Sequence, residues 1–266
     1  MRLYQASLLD NRQVRQDVHL LELAAPALAQ AVRPGQYCMV CCADAGSFDP
    51  LLRRPFFIHS VEGEHCRILL QVRGRGTRWL AKRPVGEELN ILGPLGQGWR
   101  LPARAKTLLL VAEGFGIVSL ALLAQRASEQ GLEVTLVQQV AQAQEGYPPA
   151  LLPIEVEYHL VISDRNTDRG NGTGDKTGQQ RTLLTLLGDY LGWADAVCLG
   201  VSRETALQLY QRFEDLRQPG FAQVVVLQPL VCGIGTCLAC ALETAHGPRL
   251  ICQDGPIFDL GVLARG

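Results

Sequence analysis

The sequence predicts a multidomain β plus α/β protein with three parts in chain order. Residues 1–102 contain short aliphatic runs between glycine and proline turns, which predicts an antiparallel β-barrel domain. Strand and helix patterns alternate over residues 103–227, which predicts a doubly wound parallel α/β domain. Residues 228–266 combine cysteines and glycines without a helical or strand period, so we expect a small domain of loops that a metal centre holds together.

The length, composition and net charge of the chain exclude several classes of protein. The chain has 266 residues, 47% of them hydrophobic and 19% charged, which is enough for two or three domains with a core. A net charge of -1 gives no basic surface for a nucleic acid. The longest apolar run, residues 107–124, contains Glu113 and two glycines, so we expect no membrane span. Nine cysteines without an export signal indicate the reducing cytoplasm.

The barrel strands and the α/β elements follow from local patterns. The segments "QYCMVCC" and "CRILLQV" predict barrel strands. In the second part, "KTLLLVAEG", "LEVTLVQQV", "VEYHLVISD" and "ADAVCLGV" predict strands. Helices are predicted over "FGIVSLALLAQRASEQG", "RTLLTLLGDYLG" and "RETALQLYQRFEDL". The polar, glycine-rich residues 164–180 predict a surface loop; a phosphate cradle is the alternative, although the P-loop lysine and hydroxyl are missing.

Four of the nine cysteines form a spaced motif near the C-terminus. Cys232, Cys237, Cys240 and Cys252 follow the pattern C-x4-C-x2-C-x11-C, which is the plant-type spacing for a [2Fe–2S] cluster. Gly233 and Gly235 lie between the first two of these cysteines. Glycines at such positions let the backbone curl around a small inorganic core. One alternative is a structural zinc site, although such sites usually use two C-x2-C pairs. The other alternative is that these four cysteines are inert buried thiols.

The remaining thiols indicate packing rather than chemistry. Cys38, Cys41 and Cys42 fall in one strand-like run, where successive side chains point to opposite faces. A metal site there is the alternative. Cys66 and Cys198 also fall in predicted strands, and we expect all five to behave as small core residues.

Three barrel segments are candidates for holding a phosphate-bearing ligand. Arg54 follows Arg53 at the start of an extended apolar segment and is suited to a bidentate pair with a pyrophosphate. Gly76 and Thr77 form a turn in which Thr77 is the predicted N-cap of a helix, so the helix amides would face the same phosphate. Residues 92–99, "LGPLGQGW", predict a tight loop near a flat ring. A solvated strand edge and a plain hairpin remain open for the first two.

The whole chain resembles the electron-transfer subunit of the two-subunit, NAD-linked dihydroorotate dehydrogenase, within the ferredoxin-reductase superfamily. The segments that carry the resemblance are "CGIGTCLAC…CQDGPIFD", "LLRRPFFI", "GRGT" and "LGPLGQGW". The cysteine loop with its Asp-Gly-Pro tail is the most specific of them.

The resemblance implies the cofactors, the partner and the role of the chain. It implies FAD on the barrel and a [2Fe–2S] cluster on the four spaced cysteines. It implies an FMN-containing dihydroorotate dehydrogenase catalytic subunit as partner, in a heterotetramer of two plus two that serves pyrimidine biosynthesis. The chain would relay electrons between FAD and the cluster, and no catalytic acid or base is assigned. The implied FAD-binding residues are Arg54, Pro55, Phe56, Phe57, Leu70, Gln71, Gly76 and Thr77.

Three departures from the family pattern concern the ligand sites. Phe57 stands where the family usually has a serine. Ala112 and Glu113 replace two glycines of the loop that cradles NAD phosphates, and Glu113 would bring negative charge beside a pyrophosphate. The usual Cys-Gly-Pro that faces the nicotinamide is here "LGV", residues 199–201. Binding of NAD is therefore doubtful on sequence grounds, and a degenerate NAD site is expected.

Two further functions stay open from the sequence. The same FAD and [2Fe–2S] arrangement also suits a different oxidoreductase complex, such as a hydrogenase or an NADPH–ferredoxin enzyme. Phe57 keeps a third possibility open, a non-enzymatic cluster-carrying redox sensor whose flavin site is lost.

Overall fold

The computed structural model describes residues 1–44, 46–163 and 183–264, so the predicted loop at 164–180 lies outside the described residues. The strands are β1 Arg2–Arg15, β2 Val18–Ala24, β3 Tyr37–Val40, β4 Arg54–Phe57, β5 Ser60–Glu62, β6 His65–Gln71, β7 Glu88–Leu95, β8 Thr107–Glu113, β9 Glu133–Val140, β10 Glu157–Ile162, β11 Ala196–Gly200, β12 Ala222–Val225, β13 Ala241–Leu242, β14 Arg249–Leu250 and β15 Ile257–Asp259. The α-helices are α1 Pro26–Ala31, α2 Arg75–Ala81, α3 Ala121–Glu129, α4 Leu183–Leu191, α5 Arg203–Arg212 and α6 Leu260–Ala264.

The first seven strands form one curled antiparallel sheet in the order β4-β3-β7-β1-β2-β6-β5. Side chains alternate between the two faces of strand β7: Leu89 and Ile91 are buried, while Glu88 at the start of the strand is exposed. The predicted barrel is confirmed as a half-barrel. Strand β3 ends at Val40, so Cys41 and Cys42 follow the strand rather than lying in it.

Strands β8 to β12 form a parallel sheet in the order β10-β9-β8-β11-β12, and β15 adds to its edge antiparallel to β12. Strand β8 is buried on both faces from Leu108 to Ala112, which explains its unbroken apolar sequence. The chain runs outward from β8 to β10 and then crosses to β11 on the other side. The order of the strands therefore reverses between β8 and β11, as in a doubly wound fold.

The segment after β8 differs from the single helix predicted there. Residues Gly114–Ser119 form a 3₁₀ turn, and α3 begins only at Ala121. Gly116 lies against the end of β11, because a Cβ placed on Gly116 would lie 1.9 Å from the carbonyl oxygen of Gly200. The tight turn and two glycines let the two backbones touch, which a regular helix with side chains would prevent.

The C-terminal segment contains regular elements that the sequence did not reveal. Strands β13 and β14 pair with each other, β15 joins the α/β sheet, and α6 follows it. These elements span two to five residues, which is too short for a period to show. The "LGPLGQGW" segment packs against this part of the chain, where the Gln97 amide donates to the Gly255 carbonyl at 2.6 Å.

None of the helices in the described ranges combines the length and apolar character that crossing a bilayer requires.

Candidate functional site

A cleft of about 660 Å³ lies between the half-barrel, the carboxyl ends of the parallel strands and the segment before the cysteine loop. Its barrel side is formed by five of the residues predicted from the sequence, Pro55, Phe56, Phe57, Leu70 and Gln71. They come from the facing strands β4 and β6, so their side chains reach the cleft from a rigid sheet. This wall is largely apolar and suits a flat aromatic ring.

Of the other three predicted residues, Gly76 and Thr77 lie in the first turn of helix α2, and Arg54 lies beside that turn. A Cβ placed on Gly76 would lie 3.2 Å from Arg54 Cγ and 3.2 Å from Cys42 Cβ, so only a residue without a side chain fits there comfortably. Arg54 Nη1 donates to the carbonyl of Leu52 at 2.6 Å. Arg53, by contrast, is bound to the barrel interior through the carbonyl oxygen of Asn90 at 3.0 Å. Of the two arginines, Arg54 is the one beside the α2 turn.

The prediction that Thr77 caps helix α2 is wrong. The helix begins at Arg75 with Gly74 as its N-cap, which places Thr77 at the third helical position. The Thr77 hydroxyl accepts from the Gly74 amide at 3.1 Å and from the Arg73 amide at 2.9 Å, so it fixes the turn from inside the helix. The first amides of the helix keep no intrahelical acceptor, which is the condition for phosphate contact.

The four spaced cysteines meet in two pairs. The sulfurs of Cys240 and Cys252 lie 3.3 Å apart, and Cys232 forms a hydrogen bond with the thiol of Cys237. Across the residues that the structure describes, no three histidine, cysteine or acidic side chains gather closely enough to hold one metal ion. Two thiol pairs match a two-iron centre better, because each iron of a [2Fe–2S] cluster takes two thiolates.

Main-chain amides determine the electrostatics of the first pair. Burial raises the pKa of Cys232, but hydrogen bonds from the amides of Ile234 and Cys237 outweigh burial and lower the pKa to about 5. The Ile234 amide lies 3.5 Å from its sulfur. A thiolate is the form that binds metal, so this cysteine is prepared for iron.

The second pair shows the need for a cation. Burial raises the pKa of Cys252 to about 12, and the neighbouring Cys240 adds to the effect. Two thiols this close do not both ionise without a positive charge between them, which iron supplies. The donor set therefore fits a [2Fe–2S] cluster.

Tyr37 connects the cleft with the cysteine loop and was missed from the sequence. Its ring lines the cleft and stands edge-on to Phe57, with ring centroids 6.5 Å apart. Its hydroxyl lies 3.2 Å from the carbonyl oxygens of both Gly233 and Cys252. The one available signal was a phenol within the otherwise apolar run "QYCMVCC".

Glu113 lies where the order of the parallel strands reverses. One carboxylate oxygen accepts from the Ser202 amide at 2.9 Å, and the other accepts from the Thr205 hydroxyl at 2.6 Å. Ser202 is the N-cap of helix α5, so this carboxylate sits at the positive end of a helix. The sequence placed Glu113 at the crevice but gave no indication of Ser202 or Thr205 as its partners.

The comparisons with known proteins agree with this arrangement. Residues 228–263 match the family described as the iron-sulfur cluster binding domain of dihydroorotate dehydrogenase B. The electron transfer subunit of dihydroorotate dehydrogenase B (NAD(+)) from Shouchella clausii is 30% identical over 257 residues, which cover 94% of this chain and 93% of that protein. The subunit of the same name from Desulforamulus reducens is 27% identical over 265 residues, covering 97% and 96%.

Solved structures share the fold. An NADH-dependent reduced ferredoxin-NADP oxidoreductase, described for flavin-based electron bifurcation, has a TM-score of 0.75 and 18% identity, and covers 98% of this chain and 90% of its own. A ferredoxin NADP+ reductase from Neisseria gonorrhoeae with bound FAD and NADP has a TM-score of 0.58 and 16% identity, covering 81% and 92%. The fold, the paired cysteines and the full-length relatives lead to one conclusion: the chain belongs to the family of electron transfer subunits of dihydroorotate dehydrogenase B.

Proposed function

We propose that this chain relays electrons between an FAD in the cleft and a [2Fe–2S] cluster on the cysteine loop, as the electron transfer subunit of a dihydroorotate dehydrogenase. The observation that carries the proposal is the position of Tyr37, which lines the cleft with its ring and reaches the backbone of the cysteine loop with its hydroxyl. On this proposal the two cofactor sites would be adjacent, with the Tyr37 side chain between them. FAD supplies the exchange between hydride pairs and the single electrons that a cluster accepts.

The barrel residues would hold the flavin in two ways. Phe57 and Leu70 give an apolar wall for the ring, and Gln71 adds a polar group at the edge of that wall. Arg54 and the first amides of helix α2 at Gly76 and Thr77 would bind the pyrophosphate, because a guanidinium and a helix N-terminus both favour an anion. The absence of a side chain on Gly76 keeps Arg54 close to that turn.

The cysteine loop would provide the exit to a partner. Cys232 and Cys237 would bind one iron, and Cys240 and Cys252 the other. Cys237 is exposed, and Leu238 beside it is 64% exposed, so the loop faces outward at this point. The partner we propose is the FMN-containing catalytic subunit, in a heterotetramer of two plus two. We place the complex in the cytoplasm, where thiols stay reduced.

The test begins with the cofactors and ends with electron transfer. We expect one FAD and two irons with two acid-labile sulfides per chain after anaerobic purification. Dihydroorotate should bleach both cofactors only when the catalytic subunit is present. A chain that binds the cluster but no FAD, even with FAD added in excess, would contradict the proposal and leave a cluster-carrying sensor.

A pair of glycine variants sharpens the flavin site. Gly76→Ala places a methyl group against Arg54 and Cys42, whereas a methyl group on Gly74 meets nothing within 4 Å. We expect Gly76→Ala to weaken FAD binding by about tenfold, since one lost charged contact costs roughly that much. Gly74→Ala should bind FAD as the wild type does. Equal FAD affinity in both variants would count against the α2 turn as the pyrophosphate site.

A further inference from the structure

The crevice outside the carboxyl ends of β8 and β11 is where a doubly wound sheet binds its ligand. The order of strands reverses there, so the following loops part and leave a gap that is flanked by helix N-termini. In this chain the gap is bordered by Glu113 at the end of β8 and by Ser202 at the start of α5. In a dinucleotide-binding sheet the pyrophosphate lies at the turn after the first strand, which here is the turn that follows Glu113.

We propose that Glu113 is a built-in anion that takes the place of a dinucleotide phosphate at this crevice, so that the chain excludes nicotinamide dinucleotides from it. The Glu113 carboxylate is held in this turn by two hydrogen bonds, from the Ser202 amide and from the Thr205 hydroxyl. The negative charge of the carboxylate also repels the phosphate of an incoming dinucleotide. The inference rests on the proposed electron relay, and it states that this relay does not exchange electrons with NADH or NADPH.

Two glycines form the base of the crevice. The backbones of Gly116 and Gly200 are in contact, with no space for even one added carbon between them. Val201 beside them is buried and lines the cleft with an aliphatic surface. The Glu113 carboxylate is therefore the charged group at the end of β8 that an incoming phosphate would meet.

The same crevice retains features that would accept a phosphate once the carboxylate is removed. Arg73 and Arg203 both line the cleft, and the N-terminus of the ten-residue helix α5 stays in place. Removal of one negative charge beside a bound anion removes the Coulomb repulsion between them, so we expect anion affinity to rise by about tenfold or more. We therefore expect the side chain at position 113 to decide whether a nucleotide phosphate binds at this crevice.

The experiment compares four proteins with their cofactors bound: wild type, Glu113→Gly, Glu113→Gln and the control Glu133→Gln. Glu133 is exposed at the start of β9, at the opposite end of the sheet, and the substitution Glu133→Gln removes the same charge. Dithionite first bleaches flavin and cluster in each protein, which tests the proposed function on its own. NADH and NADPH are then titrated anaerobically, with binding followed by calorimetry and reduction by absorbance.

We expect neither nucleotide to bind or bleach the wild type or Glu133→Gln at concentrations below about 1 mM, the affinity range of weak ligands. Glu113→Gly should gain at least about tenfold in nucleotide affinity, and Glu113→Gln a smaller amount, because glutamine still fills the space. Rapid bleaching of the wild type by either nucleotide would overturn the inference. So would unchanged affinity in both Glu113 variants; if Glu113→Gly does not fold, the result for Glu113→Gln alone decides.

Discussion

The thiols of the domain cores and the thiol of Cys232 lie in environments with opposite effects on the thiol pKa. Cys38, Cys42, Cys66 and Cys198 are fully buried in hydrophobic cores, and burial raises the pKa of Cys42 and of Cys66 to about 12. Cys232 lies in a loop whose amides point at its sulfur, and its pKa is lowered to about 5. A thiol buried among apolar side chains remains a small apolar group, whereas the Cys232 thiol, which faces main-chain N–H groups, is prepared as a ligand.

The difference teaches that the backbone, more than the residue type, prepares the metal site. Gly233 and Gly235 both have positive φ, at 72° and 82°, so the chain turns back on itself and its amides face inward. In the sheet cores the amides are already used by neighbouring strands. Where an amide does face a core thiol, as the Arg54 amide faces Cys42, burial outweighs it and the pKa stays high.

The largest effect should come from removing one thiol in each environment. Cys252→Ala and Cys198→Ala delete the same atoms at positions that are 2% and 0% exposed. We expect Cys252→Ala to lose the cluster completely, because one iron then lacks a ligand. Cys198→Ala should keep its iron and lose about 1 kcal/mol of stability from the cavity. Iron and acid-labile sulfide per chain measure the first result, and urea unfolding measures the second.

Full iron content in Cys252→Ala, or loss of iron in Cys198→Ala, would contradict the separation into two environments.

A buried histidine extends the comparison to another titrating group. His59 is 2% exposed, stacks on Tyr147 and forms hydrogen bonds with the hydroxyl groups of Tyr147 and Ser60. Burial, with a smaller contribution from the charge of Arg67, lowers its pKa from 6.5 to about 4. Burial therefore favours the neutral form here, as it does for Cys66.

The sign of the pH dependence follows. Above about pH 6.5 His59 is neutral in both the folded and the unfolded chain. As pH falls toward about 4, the unfolded chain takes up a proton and the folded chain does not, so stability decreases by roughly 3 kcal/mol. We expect the stability difference between wild type and His59→Gln to change by roughly 2 kcal/mol between about pH 7.5 and about pH 5 in urea unfolding. A difference that stays constant with pH would contradict a buried neutral His59.

The smallest effect concerns the turn residues of the cysteine loop. Gly235 and Gly247 have φ of 82° and 85°, so alanine at either position costs about 1 kcal/mol in backbone strain. A Cβ on Gly235 would also lie 2.3 Å from Gln253 Cδ, whereas one on Gly247 meets nothing within 4 Å. We expect both alanine variants to lose similar stability but only Gly235→Ala to lose its cluster faster in the presence of a chelator, as followed by visible absorbance. Equal rates of loss would show that the loop backbone does not prepare the site.

Much of the fold and part of the site followed from local sequence patterns. The parallel strands were visible because strands buried on both faces give unbroken apolar runs, as in Leu108–Ala112. The four spaced cysteines were visible because a cluster loop fixes their separation. Whether these residues and the eight proposed for FAD hold cofactors stays a prediction, as do the domain boundaries.

The features that the sequence did not reveal depend on contacts between distant segments. The Tyr37 hydroxyl meets a loop about 200 positions away in the chain, and no local period records such a contact. The Glu113 contacts with Ser202 and Thr205 are of the same kind. The position of Thr77 in helix α2 was mistaken for a simpler reason: Gly74 without a side chain serves as N-cap there.

The pairing of β15 with β12 has a consequence for how the protein matures. Val225 lies opposite Ile257, and the Val226 amide donates to the Pro256 carbonyl at 2.8 Å, so the chain enters and leaves the cysteine loop at the same point. The two ends of the loop are joined by the sheet and not by the cysteines. Closure of the loop therefore does not depend on iron, and we expect the chain without its cluster to keep β12 paired with β15.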